Sequence, residues 1–202
     1  MTSLPPRDPT ADPLLTPQNA ALVVIDYQPV QVTSIASMDR HALVDNIVSV
    51  VKLARLFQLP IVLSTVNVAT GKNAPTIHQI RDLLPDSREL DRTQINAWED
   101  REFQAAVKAT GRKKIVMTAL WTEACLTFPT LDMLREGYEI YPVVDAVGGT
   151  SARAHRAALE RVQQAGAHLI SWVQLACELQ RDWVRAGTEK EFSEILFAVE
   201  GH

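Results

Sequence analysis

Apolar residues follow two alternating patterns along this chain. One pattern is a series of short continuous runs rich in β-branched residues, which suit strands that are covered on both faces of a sheet. Between these runs, apolar residues recur at the three- and four-residue spacing of helices. The runs occupy residues 20–25, 61–66, 115–121, 138–144 and 168–172, with a brief extended piece at 89–92; the helical segments occupy 39–57, 76–84, 99–110, 151–165, 175–183 and 190–199. Strands that alternate with helices predict βαβ crossovers and a three-layer αβα sandwich around a central, mostly parallel sheet.

The first 19 residues differ from the rest of the chain. They contain five prolines and scattered charges, without the basic-then-apolar order of a signal peptide. We therefore expect an extended N-terminal arm at residues 1–19, followed by one domain at residues 20–202. A chain of 202 residues is long enough for a single domain with a sizeable core.

Composition and charge narrow the classes of partner. A formal net charge of -4 and a pI near 5.7 leave no basic stripe, so nucleic acid is not an expected partner. The apolar runs are much shorter than the ~20 residues of a membrane span, so no membrane association is expected. The two cysteines form no disulfide framework, which predicts a reduced, cytoplasmic protein. The five histidines have no ligand spacing, and we expect neither a metal nor a cofactor.

Cys125 is the first candidate for chemistry. The run at residues 115–121 leads directly into a predicted helix, and Thr122 as N-cap would place Cys125 at the third helical position. There the helix dipole would lower the pKa of the thiol. The alternative is that a small cysteine fills space beneath the helix. Pro129 removes the donor for the Cys125 carbonyl, so either the helix kinks there or, this close to its start, the loss costs little.

Two carboxylates close predicted strands, Asp26 after the first and Asp145 after the run at 138–144. Ligands of open parallel sheets gather outside the carboxyl ends of the strands, where Asp26 and Cys125 would both lie. A carboxylate beside a thiol can take its proton and later pass it to a leaving group. The alternative for each aspartate is an ordinary turn or capping residue.

Several short motifs occur in a specific order between residues 20 and 183. They are Leu22-Val23-Val24-Ile25-Asp26-Tyr27-Gln28, Arg92 with Asn96-Ala97-Trp98, Thr122-Glu123-Ala124-Cys125, Val144-Asp145-Ala146, Gly166-Ala167, and Ala176-Cys177-Glu178-Leu179 with Asp182-Trp183. Together they resemble the isochorismatase-like cysteine hydrolases, and especially the YcaC-like subgroup. The resemblance implies a Rossmann-like topology for the domain.

The resemblance also implies a catalytic triad of aspartate, lysine and cysteine. Asp26 and Cys125 match two of its members, and Arg92 stands at the position of the lysine. A guanidinium can steady a thiolate but cannot shuttle a proton, so the proton transfer would depend on Asp26. The alternative for Arg92 is a surface ion pair with Asp91 or Glu89.

Further site residues follow from the same resemblance. It implies a cis peptide bond at Leu120–Trp121 and an oxyanion hole formed by the backbone N–H groups of Trp121 and Cys125. For the lining of the substrate pocket we expect Trp121, which is bulky and would favour a small or flat substrate, together with Gln28, Asn96 and Trp98.

The resemblance thus predicts a hydrolase that acts on a small amide, ureide or related C–N bond through a covalent thioester. It further implies a small-molecule substrate and a homo-oligomer, an octamer in the subgroup. Two alternatives stay open: a non-catalytic oligomeric binding protein of the same fold, and a redox protein that uses cysteine sulfenic acid.

Overall fold

A computed structural model describes residues 7–198 of the protein, and its centre is a five-stranded sheet in the order β3-β2-β1-β4-β5. All four pairs of neighbouring strands are parallel, which confirms the predicted sheet. The strands are β1 (Ala20–Ile25), β2 (Ile61–Val66), β3 (Glu89–Arg92), β4 (Lys114–Ala119) and β5 (Glu139–Pro142). Because β1 lies at the middle of the sheet and pairs with β2 and β4, its residues are completely buried.

Helices cover both faces of this sheet, as the sandwich prediction requires. They are α1 (Pro29–Ser34), α2 (Arg40–Leu56), α3 (His78–Arg81), α4 (Arg101–Ala109), α5 (Thr127–Arg135), α6 (Ala152–Gln164), α7 (Trp172–Gln180) and α8 (Glu189–Phe197). One core cluster joins alternate β1 side chains such as Leu22 to α2, α7 and α8. The other joins Val23 and its neighbours to α4, α5 and α6. The alternation of side chains along β1 therefore divides the core into two layers.

Local capping explains where several helices begin and end. The Asp39 carboxylate accepts hydrogen bonds from the first backbone N–H groups of α2 at 2.9 and 3.0 Å, so α2 begins where the sequence predicted. Gly111 follows α4 with φ +67°, a conformation in which glycine has no steric penalty. Both features could be read from the residue types alone.

The predicted last strand at residues 168–172 is confirmed only as a short parallel pairing, in which the His168 and Ile170 N–H groups donate to the Ile140 and Pro142 carbonyls. Only Ile170 makes an isolated bridge, to Val143, and Ser171 already caps α7 through a hydrogen bond from the Gln174 N–H. A serine this close to the end of the run lets the helix begin at Trp172, so too few residues remain for a full strand. The predicted helix at 190–199 corresponds to α8, and Val199 lies outside the described residues.

The N-terminal arm is not extended over its described part, residues 7–19. It folds back in turns against the amino-terminal edge of the sheet, with Leu15 fully buried. The Lys114 ammonium donates to the carbonyls of Asp12 and Pro13, and Arg181 pairs with the Asp12 carboxylate at 3.4 Å. These polar anchors are dispersed in sequence, which is why composition alone suggested a free arm. Residues 1–6 lie outside the described part of the chain.

No helix between residues 7 and 198 is long and apolar enough to cross a membrane.

Candidate active site at the carboxyl edge of the sheet

Asp26 and Arg92 form a buried ion pair across the carboxyl ends of three strands. Asp26 follows β1, Arg92 ends β3, and the guanidinium reaches over the end of β2 between them. Nη1 donates to Oδ1 and Nη2 to Oδ2, each at 2.7 Å, and the two side chains are 0% and 1% exposed. Nη1 also donates to Ser64 Oγ and to the Thr65 carbonyl. This bidentate pairing fixes the orientation of the Asp26 carboxylate relative to the planar guanidinium.

The alternative of a surface ion pair for Arg92 is wrong. The Asp91 carboxylate instead accepts hydrogen bonds from the backbone N–H groups of Val68 and Ala69. The nearest cation to Glu89 is Arg81, at 3.7 Å. Both carboxylates are therefore engaged elsewhere, and the guanidinium turns inward.

The backbone at Asp26 adopts the left-handed conformation, with φ +62°. This region is uncommon for residues other than glycine, although aspartate tolerates it better than most. The Asp26 N–H remains bonded to the Ser64 carbonyl at 3.0 Å, so the chain turns sharply while still attached to β2. This turn is what directs the carboxylate across the strand ends.

Cys125 lies in a π-helical turn, Thr122–Leu126, between β4 and α5. The N-cap of this turn is Trp121, which makes no side-chain capping bond, so the predicted N-cap role of Thr122 is wrong. The wide turn accounts for Pro129: α5 begins only at Thr127, which leaves the proline in its first turn, where a missing N–H costs little. Cys125 is 8% exposed and packs against the α4–α6 layer.

The environment of Cys125 raises the pKa of its thiol to about 12, first because the group is buried and then because of the nearby Asp26 carboxylate. Arg92 and the Trp121 N–H act in the opposite direction but do not compensate. The prediction of a lowered pKa is therefore wrong. The main reason is burial of the thiol, and the Arg92 cation cannot offset it because Arg92 is already paired with Asp26. The resting thiol is protonated at neutral pH.

The peptide bond between Leu120 and Trp121 is cis. The Trp121 backbone N–H acts on the Cys125 thiol and lowers its pKa. A backbone donor thus stands beside the sulfur, in addition to the carboxylate. The geometry brings Asp26, Arg92, Cys125 and the Trp121 backbone together.

Gln28 does not line this site. Its side-chain N–H groups donate to the Val66 and Ala74 carbonyls at 3.0 and 2.7 Å, and its oxygen accepts from the Val66 N–H. It is fully buried, so all of its polar capacity holds the loop after β2 to β1. The expectation that Gln28 contacts substrate is corrected accordingly.

Asn96 and Trp98 also have internal roles. Asn96 caps the short 3₁₀ turn Ala97–Glu99 and donates to Asp132 on α5. The Trp98 ring is buried beside Tyr138 and donates to the Glu136 carboxylate at 2.8 Å. Both residues therefore anchor the segment after Arg92 to α5 rather than line a pocket.

Trp121 is the one predicted lining residue that lies near Cys125. Its ring is partly buried, and the indole N–H donates to Ser34 Oγ on α1 at 2.6 Å. The ring thus bridges the start of the Cys125 turn and the short helix that follows Asp26.

Three exposed apolar residues that closely follow the triad positions in sequence were missed by sequence reasoning. Val30, Ile95 and Phe128 are among the exposed large apolar side chains, and each follows one triad position by three or four residues. This regular spacing after Asp26, Arg92 and Cys125 is visible in the sequence and could have identified the three residues. Each of these residues therefore lies in a segment that continues from the carboxyl edge of the sheet.

A cavity lies at the opposite edge of the sheet from Cys125. Its volume is about 760 Å³, and it is lined by arm residues such as Asp12 together with Lys114, Glu139 and Glu178, at the amino-terminal edge of the sheet. Between residues 7 and 198 there is no cluster of three or more His, Cys, Asp or Glu side chains that could hold a metal ion.

The other candidates take structural positions. The Asp145 carboxylate accepts from the Trp172 N–H at the start of α7, which is the capping role that the sequence left open. Cys177 is a free, exposed thiol on α7.

Comparison with known proteins identifies the class of protein that this fold and site define. The isochorismatase domain model matches residues 20–174, and the chain belongs to that family. It is 35% identical over 170 residues to the probable hydrolase YcaC of Escherichia coli K12, covering 84% of this chain and 81% of that protein.

Two solved structures extend the comparison. The first is YcaC from Pseudomonas aeruginosa with hexane-2,5-diol and covalent acrylamide: TM-score 0.86, 32% identity, 91% of this chain and 90% of that chain covered. The second is the Escherichia coli YcaC gene product, described as an octameric hydrolase of unknown specificity: TM-score 0.83, 30% identity, 94% and 97% covered.

Proposed function

We propose that the protein is a cysteine-dependent hydrolase that cleaves a small amide, ureide or related C–N bond through a covalent thioester. The observation that carries this proposal is the meeting of Asp26, Arg92 and Cys125 in one buried cluster at the carboxyl edge of the sheet. Family membership supports hydrolysis as the type of reaction. The substrate class is the one that the resemblance to the isochorismatase-like cysteine hydrolases implies, and a thiol beside a carboxylate suits such an acyl transfer.

In the first half-reaction, the Asp26 carboxylate accepts the Sγ proton while the sulfur attacks the carbonyl carbon. Arg92 uses one lone pair of each carboxylate oxygen, so the remaining lone pairs are available for this proton. The Trp121 and Cys125 N–H groups stabilise the oxyanion of the tetrahedral intermediate. The C–N bond then breaks, and the leaving amine takes the proton from Asp26.

In the second half-reaction, Asp26 accepts a proton from water as the water oxygen attacks the thioester carbon. The C–S bond breaks, the acid is released, and the sulfur recovers the proton. Arg92 stays charged throughout and holds the carboxylate in position. The main role of Arg92 is therefore its ion pair with Asp26, and stabilisation of the thiolate is secondary.

The raised thiol pKa favours this base-assisted route over a redox function. Oxidation to sulfenic acid requires a thiolate, and the raised pKa keeps the Cys125 thiol protonated until a base removes its proton. A protonated thiol beside a fixed carboxylate instead suits attack in which proton removal and bond formation coincide.

The test is a panel of small amides and ureides, with release of ammonia or amine as the readout and intact-mass spectrometry to trap the acyl-enzyme. We expect Cys125→Ala to abolish turnover and the adduct, while Cys177→Ala, the matched control, retains both. Turnover that survives in Cys125→Ala would refute the mechanism. Absence of turnover by the wild type across the panel would favour the non-catalytic binding alternative.

We also propose that the protein forms a homo-oligomer. The octameric state described for the Escherichia coli relative supports this. So do Trp183, Val184 and Phe197, which are 62%, 56% and 51% exposed in the single chain. Light scattering of the wild type and of Trp183→Glu tests it: we expect a smaller particle for the variant, and a monomeric wild type would contradict the proposal.

A further inference from the structure

Thr122, the residue after Trp121, is held at three points. Its N–H donates to the Gly148 carbonyl at 2.9 Å, and its carbonyl accepts from Thr127 Oγ1 at 2.7 Å. Its hydroxyl lies 2.9 Å from Nδ1 of His155 on α6. Thr122 is completely buried, so the imidazole is the one partner found for this hydroxyl among the described residues.

The contact with His155 replaces the capping bond that the sequence suggested. The π-helical turn begins without a side-chain cap of its own, so the direction of the turn depends on contacts from outside it. His155 supplies such a contact from a rigid helix that is itself capped by Ser151. The link between α6 and the turn therefore determines where the turn points.

A second contact joins the π-helical turn to the segment just before α6. One Glu123 carboxylate oxygen accepts from the N–H and the hydroxyl of Thr150 at 2.9 and 2.6 Å. The other oxygen is buried and has no hydrogen-bond partner. It lies where a Cβ on Gly149 would approach to 2.5 Å, and the same Cβ would lie 3.1 Å from His155 Cβ. Glycine at this position is therefore what allows the segment before α6 to close on the turn.

We propose that His155 is a positioning residue for the nucleophile: through Thr122 it sets the direction of the turn that carries Cys125 and the Trp121 N–H. His155 does not touch the reacting atoms. It acts through the hydroxyl, the Gly148 contact and the close packing at Gly149, which together fix the sulfur relative to the Asp26 carboxylate. The inference rests on the proposed role of Cys125 as nucleophile, but its test does not require turnover.

The experiment measures the rate at which acrylamide labels Cys125, with peptide mass mapping to separate it from Cys177. In His155→Ala we expect Cys125 to react about fivefold more slowly, the equivalent of one hydrogen bond. The exposed Cys177 serves as the internal control and should react at the wild-type rate. His155→Asn keeps a hydrogen-bonding group near the position of Nδ1 and should recover most of the Cys125 rate.

A double-mutant cycle tests whether the effect passes through the hydroxyl. Thr122→Val should slow the labelling of Cys125 as His155→Ala does, and the double variant should be no slower than either single one. His41→Ala removes an imidazole that is 98% exposed at the start of α2 and should change nothing. Gly149→Ala should also slow Cys125, because its Cβ forces the two segments apart.

The inference is overturned if His155→Ala labels Cys125 at the wild-type rate, or if the effects of His155→Ala and Thr122→Val simply add. Loss of folding in His155→Ala would raise the Cys177 rate as well; the comparison of His155→Asn with Thr122→Val then decides the matter. If these predictions hold but no amide is hydrolysed, the proposed function fails and the positioning role stands.

Discussion

The two edges of the central sheet each bury a carboxylate among cations, yet they differ in what surrounds the charges. At the carboxyl edge, Asp26 and Arg92 lie beside a thiol and a backbone N–H. At the amino edge, Asp12 pairs with Arg181, and the Lys114 ammonium donates to carbonyls of the arm. The first cluster contains a thiol beside a carboxylate, whereas the second holds the N-terminal arm against the sheet.

The comparison shows that neither the volume of a cavity nor the presence of buried charges is enough to locate a candidate active site. A cavity of about 760 Å³ lies at the amino edge, where the cations bind the Asp12 carboxylate and backbone carbonyls of the arm. At the carboxyl edge the same kinds of charge lie beside a thiol, and the Asp26 carboxylate is its nearby proton acceptor. A reactive atom next to a proton acceptor is the feature that separates the two edges.

The largest expected effect comes from Asp26→Asn. The amide cannot accept the thiol proton, so turnover should fall by about 10²- to 10⁴-fold, the usual contribution of a general base. Steady-state kinetics on any substrate found in the amide panel measures this. The matched change at the amino edge, Asp12→Asn, should leave kcat unchanged, and an equal loss in both variants would contradict the distinction between the edges.

Removal of the Arg92 cation should come next in size. Arg92→Ala leaves a buried carboxylate unpaired and should lower the free energy of unfolding by about 3–5 kcal/mol in urea denaturation. Arg92→Lys keeps a charge at the site and should lose much less stability and retain activity. If the alanine and lysine variants are equally stable, the ion pair does not stabilise this edge.

The buried thiol should make stability depend on alkaline pH. Its pKa is raised from the ordinary 9.0 to about 12, so the unfolded chain loses this proton first as pH increases. Relative to Cys125→Ser, the wild type should therefore lose about 1.4 kcal/mol of unfolding free energy per pH unit above pH 9. Urea denaturation between pH 7.5 and 10.5 tests this, and parallel curves for the two proteins would argue against a buried neutral thiol.

The smallest effect belongs to the amino edge. Arg181→Ala removes the pair with Asp12 and a hydrogen bond to the Leu15 carbonyl, and should cost about 1 kcal/mol of stability. The labelling rate of Cys125 should not change. Arg156→Ala, which breaks an exposed pair with Glu160, is the control and should cost less. A change in Cys125 reactivity in Arg181→Ala would show that the edges communicate.

The sequence predicted most of the scaffold because the signals were local. The apolar runs matched β1 and β2 to the residue, and the Asp39 cap and Gly111 were visible as residue types. The strand predicted at 168–172 is reduced to a short pairing because a capping serine within a short apolar run starts a helix instead. Here local propensity alone could not choose between a strand and a helix.

The site was less predictable because its properties depend on pairing in space. The raised pKa of Cys125 follows first from burial of the thiol and then from the Asp26 carboxylate beside it, whose partner Arg92 lies 66 residues away in sequence. In the same way, the hydrogen bonds that occupy Gln28 come from the loop after β2. Residue types identified which groups could react, but only the fold decides which of them have free hydrogen-bonding capacity.

The most direct measurement is the relative rate of acrylamide labelling of Cys125 and Cys177 at pH 7.5, in the wild type and in Asp26→Asn. If Asp26 acts as the base for the thiol, Cys125 reacts faster than the exposed Cys177 in the wild type, and the order reverses in the variant. If Cys177 is the faster thiol in the wild type, or if Asp26→Asn leaves the Cys125 rate unchanged, the carboxyl edge is not a nucleophilic site.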